Sequence, residues 1–397
     1  MRGRTTRGEG RWRRYVVRAF LGLVVVTAVV YGSAFLLTDR FAWARAVAWG
    51  ESDVDDRFRF PEHLVAKGDG ASPLLPGEEP AALTAPVNVD LVGRPLDDLL
   101  EQTGTRAFLV VHHDRLVYER YFHGATAEQR QTSFSSAKSF LSTLVGIAAG
   151  EGLLRITDPV TAYLPELAER DERFEDVTLR DLLTMSSGLR YREAGLPWSD
   201  DALTYYGTDL RDLALTHTDV EEPPGVTWRY NNYNPLLLGL VLERATKMPL
   251  ADYMSTRLWQ PLGAEEDATW STDSVRSGFE KMESGFNARP ADYARFGLMM
   301  LHDGRWNDRQ IVPEAWVREA TAASTAHDPA DFYQYLWWVG PRPDAGRAPF
   351  YAVGKYGEVV AVFPQHDLVI VRLGSTDGGV NWMTQLRDVA DRVAAGE

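Results

Sequence analysis

Hydrophobic and polar residues alternate differently in successive parts of the chain, and each pattern predicts a different element. Residues 107–122 contain two β-rich apolar runs around a short polar turn at 113–115, which predicts a β-hairpin. The apolar stretch at 136–150 predicts a helix, and 155–330 is mostly helix and loop. Further helices are predicted at 235–246, 250–259, 290–303 and 379–394, and strands at 334–340, 349–354, 357–363 and 368–373.

Predicted strands thus lie near both ends of the folded part, with a helical region between them. Such strands pair most simply in one antiparallel sheet that is flanked by terminal helices, with a helical lobe on one side. We therefore predict an α/β fold, of the α+β kind, for residues 85–397, with the helical lobe at about 155–330. A cleft between two such parts is a common place for a small-molecule site.

The N-terminal pattern is different, because residues 19–38 run for twenty positions without a charged side chain. A run of this length can span a bilayer as a helix. Seven arginines precede it in 1–18 and acidic residues follow it, which places the N-terminus in the cytoplasm and the rest outside. The prediction is a cytoplasmic tail at 1–18, a transmembrane signal-anchor at 19–38 and a juxtamembrane connector at 39–84.

A cleaved signal peptide is the alternative for this N-terminal run. The apolar region of a signal peptide usually has 7–15 residues, which is shorter, and no clean small-x-small cleavage site directly follows the run here. The sequence therefore favours an uncleaved anchor in the cell membrane with the remaining domain extracytoplasmic.

Composition and charge narrow the function classes further. The 397-residue chain has no cysteine, which excludes a disulfide, a thiol nucleophile and a cysteine-ligated metal. Residues 1–40 carry a net charge of +6 and residues 41–397 carry −20, which gives the total of −14. So acidic a domain argues against nucleic acid as a partner. The predicted partners are a small-molecule substrate and the membrane, and the oligomeric state stays open.

A serine and a lysine three positions apart are the first candidates for chemistry. The chain has only five lysines beside 37 arginines, and Lys138 follows Ser135 at the start of the apolar helix. This spacing puts both side chains on one helical face. A serine hydroxyl needs a neighbouring base to become a nucleophile, and lysine can serve as that base whereas arginine keeps its proton. A Ser-x-x-Lys pair also arises by chance, so alone it is weak.

Two further segments carry candidate residues. Tyr230 and Asn232 lie on a loop before a predicted helix, where a tyrosine can relay a proton and an amide can hold a substrate carbonyl. Gly354 and Gly357 interrupt a β-like run, and glycine within a strand marks a bulge or a close approach to the backbone. The amide of Lys355 in that run is a candidate oxyanion donor. A capped turn and a bulged edge strand explain the same residues without chemistry.

The order and spacing of these three segments resemble a known family. Ser-x-x-Lys, Tyr-x-Asn 95 residues later and a glycine-bearing strand 124 residues beyond it resemble the serine β-lactamase/penicillin-binding superfamily. The stretches "SFSSAKSF" and "LLTMSSGL" add to the resemblance, which covers roughly residues 85–397. The Tyr-x-Asn form is that of the class C β-lactamase-like branch, of the 6-aminohexanoate-dimer hydrolase and family VIII esterase type.

The resemblance implies a role for each candidate. Ser135 would be the acylated nucleophile, Lys138 its base and Tyr230 the proton relay to the leaving group. Asn232 would orient the substrate, and the amides of Ser135 and Lys355 would form the oxyanion hole beside Gly354. The family fold implied is a β-lactamase-like antiparallel sheet with helices and an all-helical lobe, and its mechanism needs no metal or cofactor.

One departure from the family pattern bears on the substrate. Residues 352–354 read Ala-Val-Gly where β-lactamases and penicillin-binding enzymes carry Lys-Thr-Gly or His-Thr-Gly. The side chains that would bind a β-lactam or peptide carboxylate are therefore missing. We expect a membrane-anchored serine hydrolase for a small amide or ester. The alternatives are a slowly acylated sensor or scaffold, and a D-alanyl peptidase or β-lactamase.

The remaining candidate residues give weaker predictions of function. The histidines, including His112, His113 and His302, form no metal-binding pattern, and a Gly-x-Ser-x-Gly nucleophile elbow is absent from the sequence. The loop after "MSSGL" contains Glu193, Trp198, Asp200 and Tyr206, which would line the cleft in the family and govern substrate choice.

Overall fold

The computed structural model describes residues 7–37, 40–84, 87–89, 92–322, 324, 329–343 and 346–396. The chain divides into two units. The first comprises Met1–Glu51 with Arg192–Thr208, and the second comprises Ser52–Tyr191 with Asp209–Glu397. The start of the predicted hydrolase domain, at residues 85 and 86, lies outside the described residues.

The described helices are α1 Arg7–Leu37, α2 Arg40–Trp49, α3 Ala81–Thr84, α4 Leu96–Gln102, α5 Ala137–Gly150, α6 Pro165–Arg170, α7 Leu179–Leu183, α8 Asp200–Tyr206, α9 Leu210–Thr216, α10 Tyr233–Thr246, α11 Leu250–Met254, α12 Pro290–Leu301, α13 Glu314–Ala320 and α14 Trp382–Ala395. The described strands are β1 Glu62–Val65, β2 Leu75–Pro76, β3 Val87–Val89, β4 Val92–Arg94, β5 Thr105–His112, β6 Arg115–Tyr121, β7 Gln131–Thr132, β8 Ala268–Ser271, β9 Phe286–Ala288, β10 Arg305–Trp306, β11 Arg309–Gln310, β12 Tyr333–Gln334, β13 Trp337–Val339, β14 Phe350–Val353, β15 Val359–Phe363 and β16 Leu368–Gly374.

The first unit is built from α1, α2 and α8. The Tyr206 hydroxyl donates to the carbonyl of Gly50 at 2.5 Å, and the Arg45 guanidinium donates to the carbonyl of Tyr206 at 3.3 Å. Tyr31 meets Trp198 edge to face at a centroid distance of 5.5 Å. The segment 192–208 is thus tied to the N-terminal helices by aromatic packing and hydrogen bonds.

The predicted membrane span at 19–38 falls on α1, apart from Thr38, which lies outside the described residues. Among the residues that the structure describes, no helix has both the length and the apolar content that crossing a membrane requires.

An eight-stranded sheet forms the centre of the second unit, in the order β12-β13-β14-β15-β16-β5-β6-β2. Its strands are antiparallel except for the parallel pair β2–β6. Successive side chains of a strand point to opposite faces, so each strand can serve two layers. Leu386 of α14 and Leu99 of α4 pack in one core with Phe108 and Ile370. On the other face α12 lies so close that a Cβ at Gly297 would be 2.6 Å from the side chain of Val369.

A second, four-stranded antiparallel sheet has the order β1-β8-β9-β7. Its edge strand β7 pairs with β9 and leads directly into a short 3-10 turn, Phe134–Ser136, and then into α5. The sheet thereby fixes where α5 begins. Two strands come from residues predicted to be a connector, since β1 joins this sheet and β2 joins the large one.

The predicted hairpin, the helix at 136–150 and the C-terminal strands are confirmed as β5–β6, α5 and β13 to β16. Three predictions need correction. The single strand predicted at 334–340 is two short strands, because Tyr335 and Leu336 have positive φ angles of 39° and 64° and turn the chain. The helix predicted at 250–259 is α-helical only at Leu250–Met254, and a π-helical turn follows at Ser255–Trp259. The region 155–330 also contributes strands β8 to β11.

Candidate active site

The nucleophile turn, defined here as residues 133–136, is fixed by backbone hydrogen bonds. The amide of Ser133 donates to the carbonyl of Phe286 at 2.8 Å, and the amide of Ser136 donates to the carbonyl of Ser133 at 3.1 Å. Phe134 has a φ of 41°, which is rare for a residue with a side chain. Such backbone strain persists only where surrounding contacts enforce it. The turn leaves Ser135 partly exposed at the start of α5.

Lys138, one turn further along, is only 1% exposed. Its Nζ lies 3.0 Å from Ser135 Oγ and donates to the backbone carbonyl of Glu283 at 2.8 Å. The Glu283 carboxylate accepts instead from Lys281 and Ser284, at 2.8 and 2.7 Å. Within the described chain, Lys138 forms no ion pair with a carboxylate. The amine is therefore held between the serine hydroxyl and a backbone carbonyl.

Tyr230 lies beside this pair. Its ring centroid is 4.9 Å from Lys138 Nζ, and the ring stacks on Trp338 at 6.2 Å with an interplanar angle of 25°. Tyr333 meets it edge to face at 6.2 Å. No hydrogen bond joins the Tyr230 hydroxyl to another group in the described part of the chain. The ring is thus packed in place while its hydroxyl can serve a substrate.

Asn232 immediately precedes α10, and its Nδ2 donates to the Tyr191 hydroxyl at 2.9 Å. The neighbouring Asn231 is buried and structural, since it donates to the carbonyl of Leu189 at 3.0 Å and accepts from the amide of Tyr233 at 2.8 Å. Asn232 is partly exposed, whereas Asn231 is buried.

The end of β14 meets the nucleophile turn at Gly354. A Cβ at this position would lie 2.4 Å from the carbonyl oxygen of Ser133, so only glycine permits the observed approach. Lys355 follows directly, which brings its amide to the edge of the nucleophile turn. The Lys355 side chain turns to Ser52, to whose Oγ its Nζ donates at 2.8 Å.

The structure therefore brings together Ser135, Lys138 and Tyr230, and it places Gly354 against the nucleophile turn. Sequence reasoning missed two contributors, the Glu283 carbonyl and the Tyr191 hydroxyl. A backbone carbonyl leaves no signal in residue identity, so the first could not be found from the sequence. Tyr191 stands in "SSGLRY", close to a stretch that did attract attention, but its partner is 41 positions away.

Comparisons with known proteins identify relatives of this chain. Residues 96–394 match the family model described as Beta-lactamase. The chain is 28% identical over 338 residues to the 6-aminohexanoate-dimer hydrolase of Paenarthrobacter ureafaciens, covering 79% of this chain and 82% of that one. A Bacillus anthracis structure, provisionally described as a 6-aminohexanoate-dimer hydrolase, superposes with a TM-score of 0.75 at 25% identity, over 84% of this chain and 90% of the other.

A third match concerns the fold alone. A family VIII carboxylesterase structure gives a TM-score of 0.56 at 16% identity, over 75% of this chain and 94% of the other. Together with the family match, these findings show that the chain belongs to the beta-lactamase family and is a serine hydrolase of β-lactamase-like α/β fold.

The close approach of Gly354 to Ser133 generates a prediction. The Gly354→Ala variant should lose about 100-fold in kcat, because the added methyl group pushes the strand, and with it the Lys355 amide, away from Ser135. Ester hydrolysis measured under saturating substrate checks this. Gly68→Ala is the matched control, since its Cβ would meet Gln260 at an ordinary 3.4 Å. Wild-type kcat in Gly354→Ala would show that the contact does not position the site.

Proposed function

We propose that this protein cleaves a small amide or ester through an acyl-enzyme formed on Ser135. The observation that carries the proposal is the 3.0 Å approach of the buried Lys138 amine to Ser135 Oγ. A serine with an amine at hydrogen-bonding distance is the arrangement that nucleophilic catalysis requires. Tyr230 packs beside the amine, and its hydroxyl is a second group that can carry a proton.

In the first half-reaction, neutral Lys138 accepts the Ser135 proton while Oγ attacks the substrate carbonyl carbon. The carbonyl π electrons move to oxygen, and the amides of Ser135 and Lys355 stabilise the oxyanion. Collapse of the tetrahedral intermediate breaks the bond to the leaving amine or alcohol, which takes a proton from Tyr230. Lys138 then returns a proton to Tyr230, and the acyl group stays on Ser135.

In the second half-reaction, water attacks the acyl-enzyme with the Lys138–Tyr230 pair accepting its proton. The bond between the acyl carbon and Ser135 Oγ then breaks, Oγ regains a proton, and the carboxylic acid leaves. The route uses protein groups and water for every proton transfer.

The substrate class follows from the residues next to Gly354. Ala352 and Val353 stand where relatives that bind β-lactams or peptide carboxylates carry charged or hydroxyl side chains. The Lys355 ammonium, which could have replaced that charge, is bonded to Ser52. These features favour an amide or ester without a carboxylate next to the scissile bond. The relative named a 6-aminohexanoate-dimer hydrolase supports the amide class.

We further propose that the N-terminal segment, residues 1–38, anchors the protein in the cell membrane, with the hydrolase domain extracytoplasmic. The proposal rests on the arginines of 1–18 followed by the uncharged run at 19–38. It is supported by the exposure of apolar side chains on α1, such as Phe20 at 63%, Leu23 at 64% and Val25 at 60%. Side chains of this kind are normally covered by protein or lipid.

The acyl-enzyme mechanism predicts the effect of removing the nucleophile. Ser135→Ala should lower p-nitrophenyl butyrate hydrolysis at least about 1,000-fold, because no other group can accept the acyl chain. Ser142→Ala is the control, since Ser142 lies on the same helix and its Oγ, buried, makes no hydrogen bond in the described structure. Equal activity in wild type and Ser135→Ala would refute the proposed function.

Mass spectrometry of the wild-type protein during turnover separates a hydrolase from a sensor. A butyryl adduct on Ser135 that disappears after substrate is consumed indicates hydrolysis. An adduct that persists indicates a protein that is acylated and held. Rapid turnover of nitrocefin would show that the substrates also include β-lactams.

The role of Tyr230 predicts a dependence on the leaving group. Tyr230→Phe should slow cleavage of an alkyl amide about 10- to 100-fold more than cleavage of a p-nitrophenyl ester, because p-nitrophenolate departs without a proton. Tyr253→Phe serves as the control, since the Tyr253 hydroxyl donates to Glu151, outside the site, at 3.0 Å. An equal loss on both substrates would assign Tyr230 to packing rather than proton transfer.

The anchor proposal predicts that the full chain sediments with membranes and is released by detergent but not by high salt. A Val25→Arg/Val29→Arg variant should shift to the soluble fraction, because a charged residue in the bilayer costs about 2.5–3.5 kcal/mol. Protease added to intact cells should cut the wild-type domain. Sedimentation unchanged by the two arginines would contradict the anchor.

A further inference from the structure

The oxyanion turn, defined here as residues 354–357, has an unusual backbone. Tyr356 and Gly357 have φ angles of 63° and 70°, in the left-handed region. The Tyr356 hydroxyl donates to the carbonyl of Ser52 at 2.5 Å, and its ring meets Phe134 edge to face at 5.5 Å. The turn is thus tied on its outer side to residue 52 and to the nucleophile turn. A tyrosine with a positive φ persists only where surrounding contacts support its backbone.

That support comes from Arg372 of β16, which is fully buried. Its Nη1 donates to the carbonyls of Tyr356 and Gly357, both at 2.8 Å. The remaining donors go to the carbonyls of Thr103 and Thr376 and to Thr105 Oγ1, each at 2.9 Å. A guanidinium has five N–H donors in a rigid fork, and all five are used here. Arg372 therefore fixes the two carbonyls of the turn to the centre of the sheet.

Glu358 closes the same turn and is only 1% exposed. Its carbonyl accepts from the Gly354 amide at 2.7 Å, and its amide donates to the Lys355 carbonyl at 3.3 Å. Its carboxyl is different, because Oε2 is buried and makes no hydrogen bond in the part of the chain that the structure describes. The charged and titratable groups that act on it are Arg372 from β16, Arg106 from β5 and Tyr293 from α12.

We propose that Arg372 and Glu358 are a pair of positioning residues for the oxyanion turn, in which Glu358 is an uncharged acid and Arg372 holds the Tyr356 and Gly357 carbonyls. Neither residue touches the substrate. They act through the backbone that carries the Lys355 amide, so this inference rests on the proposed function.

The physical argument concerns a buried carboxyl without a donor. An ionised carboxylate in such a place is strongly disfavoured unless it is paired and hydrogen-bonded. Burial raises the pKa of Glu358 well above its usual range, although Arg372 and Arg106 oppose the shift. The five Arg372 donors are directed to other oxygens, so they do not solvate this carboxyl. The raised pKa favours the uncharged form of the acid, which leaves the guanidinium available to the turn.

Ionisation of Glu358 would change that balance. An ionised Glu358 would attract the Arg372 guanidinium, since the two groups interact electrostatically. A carboxylate is also a stronger acceptor than a peptide carbonyl, because charge-assisted hydrogen bonds are about twice as strong as neutral ones, so Arg372 would be drawn away from residues 356 and 357. Because the acid is stabilised in its protonated form in the folded state, the stability that it contributes is lost as pH rises toward its folded pKa. The oxyanion turn should therefore loosen as pH rises.

The test compares kcat and KM for an ester from pH 6 to 10 in wild type, Glu358→Gln, Arg372→Lys and Arg295→Lys. Glu358→Gln keeps the shape and cannot ionise. We expect its kcat to match that of wild type within about threefold at the acidic end of the range, and the ratio of its kcat to that of wild type to rise toward the alkaline end, by up to about tenfold. Its melting temperature at pH 8 should equal or exceed that of wild type.

Arg372→Lys keeps the charge but cannot bind two carbonyls in the same fork. Its kcat should fall about 10- to 100-fold with KM changed less than about threefold, because an oxyanion donor is displaced rather than removed. Arg295→Lys is the matched control. Arg295 is also fully buried, but it bonds to Ser72 and Glu265, away from the turn, so kcat should stay within about twofold.

The outcomes separate the inference from the function on which it rests. A constant ratio of Glu358→Gln to wild-type kcat across the pH range would overturn the inference, as would equal kcat losses in Arg372→Lys and Arg295→Lys. Either result could occur while Ser135→Ala is inactive, which would leave the acyl-enzyme intact. Full activity in Ser135→Ala would instead refute the proposed function. Should Arg372→Lys fail to fold, the Glu358→Gln profile decides alone.

Discussion

The nitrogen of Lys138 is almost completely buried, and a buried nitrogen must find acceptors inside the protein. Its two acceptors come from different parts of the chain, Ser135 Oγ in the turn that leads into α5 and the carbonyl of Glu283 just before β9. Because β9 pairs with β7, and β7 leads into the nucleophile turn, both acceptors are held by one small sheet. The position of the candidate base thus depends on pairing between segments about 150 residues apart.

A second constraint follows from how closely the backbone must approach Ser135. Gly354 lies against the Ser133 carbonyl, where no side chain would fit. Phe134 and Tyr356 both have left-handed backbones and pack edge to face. Neither conformation would persist alone, since each disfavours a residue with a Cβ. Their mutual contact links the nucleophile turn to the oxyanion turn.

Membership of the beta-lactamase family establishes the fold and the hydrolase class, but function resides in the site. The site of this chain keeps the serine, the lysine and the tyrosine and lacks the charged or hydroxyl side chains beside Gly354. The Lys355 ammonium is drawn to Ser52 instead of the expected substrate region. These residues fit the proposed acyl transfer and do not supply a charge for recognition of an anionic substrate.

The sequence by itself determined the elements with strong local patterns and the chemistry that follows from spacing. The hairpin β5–β6 and the helix α5 could be predicted because their alternation and apolar content are local properties. The pair Ser135 and Lys138 could be predicted because three positions on a helix fix a distance. Only the tertiary structure decided which backbone carbonyl receives the Lys138 amine, and that Arg372 and Glu358 lie beneath the oxyanion turn. Those contacts are made to backbone atoms, which are the same in every residue and so leave no mark in the sequence.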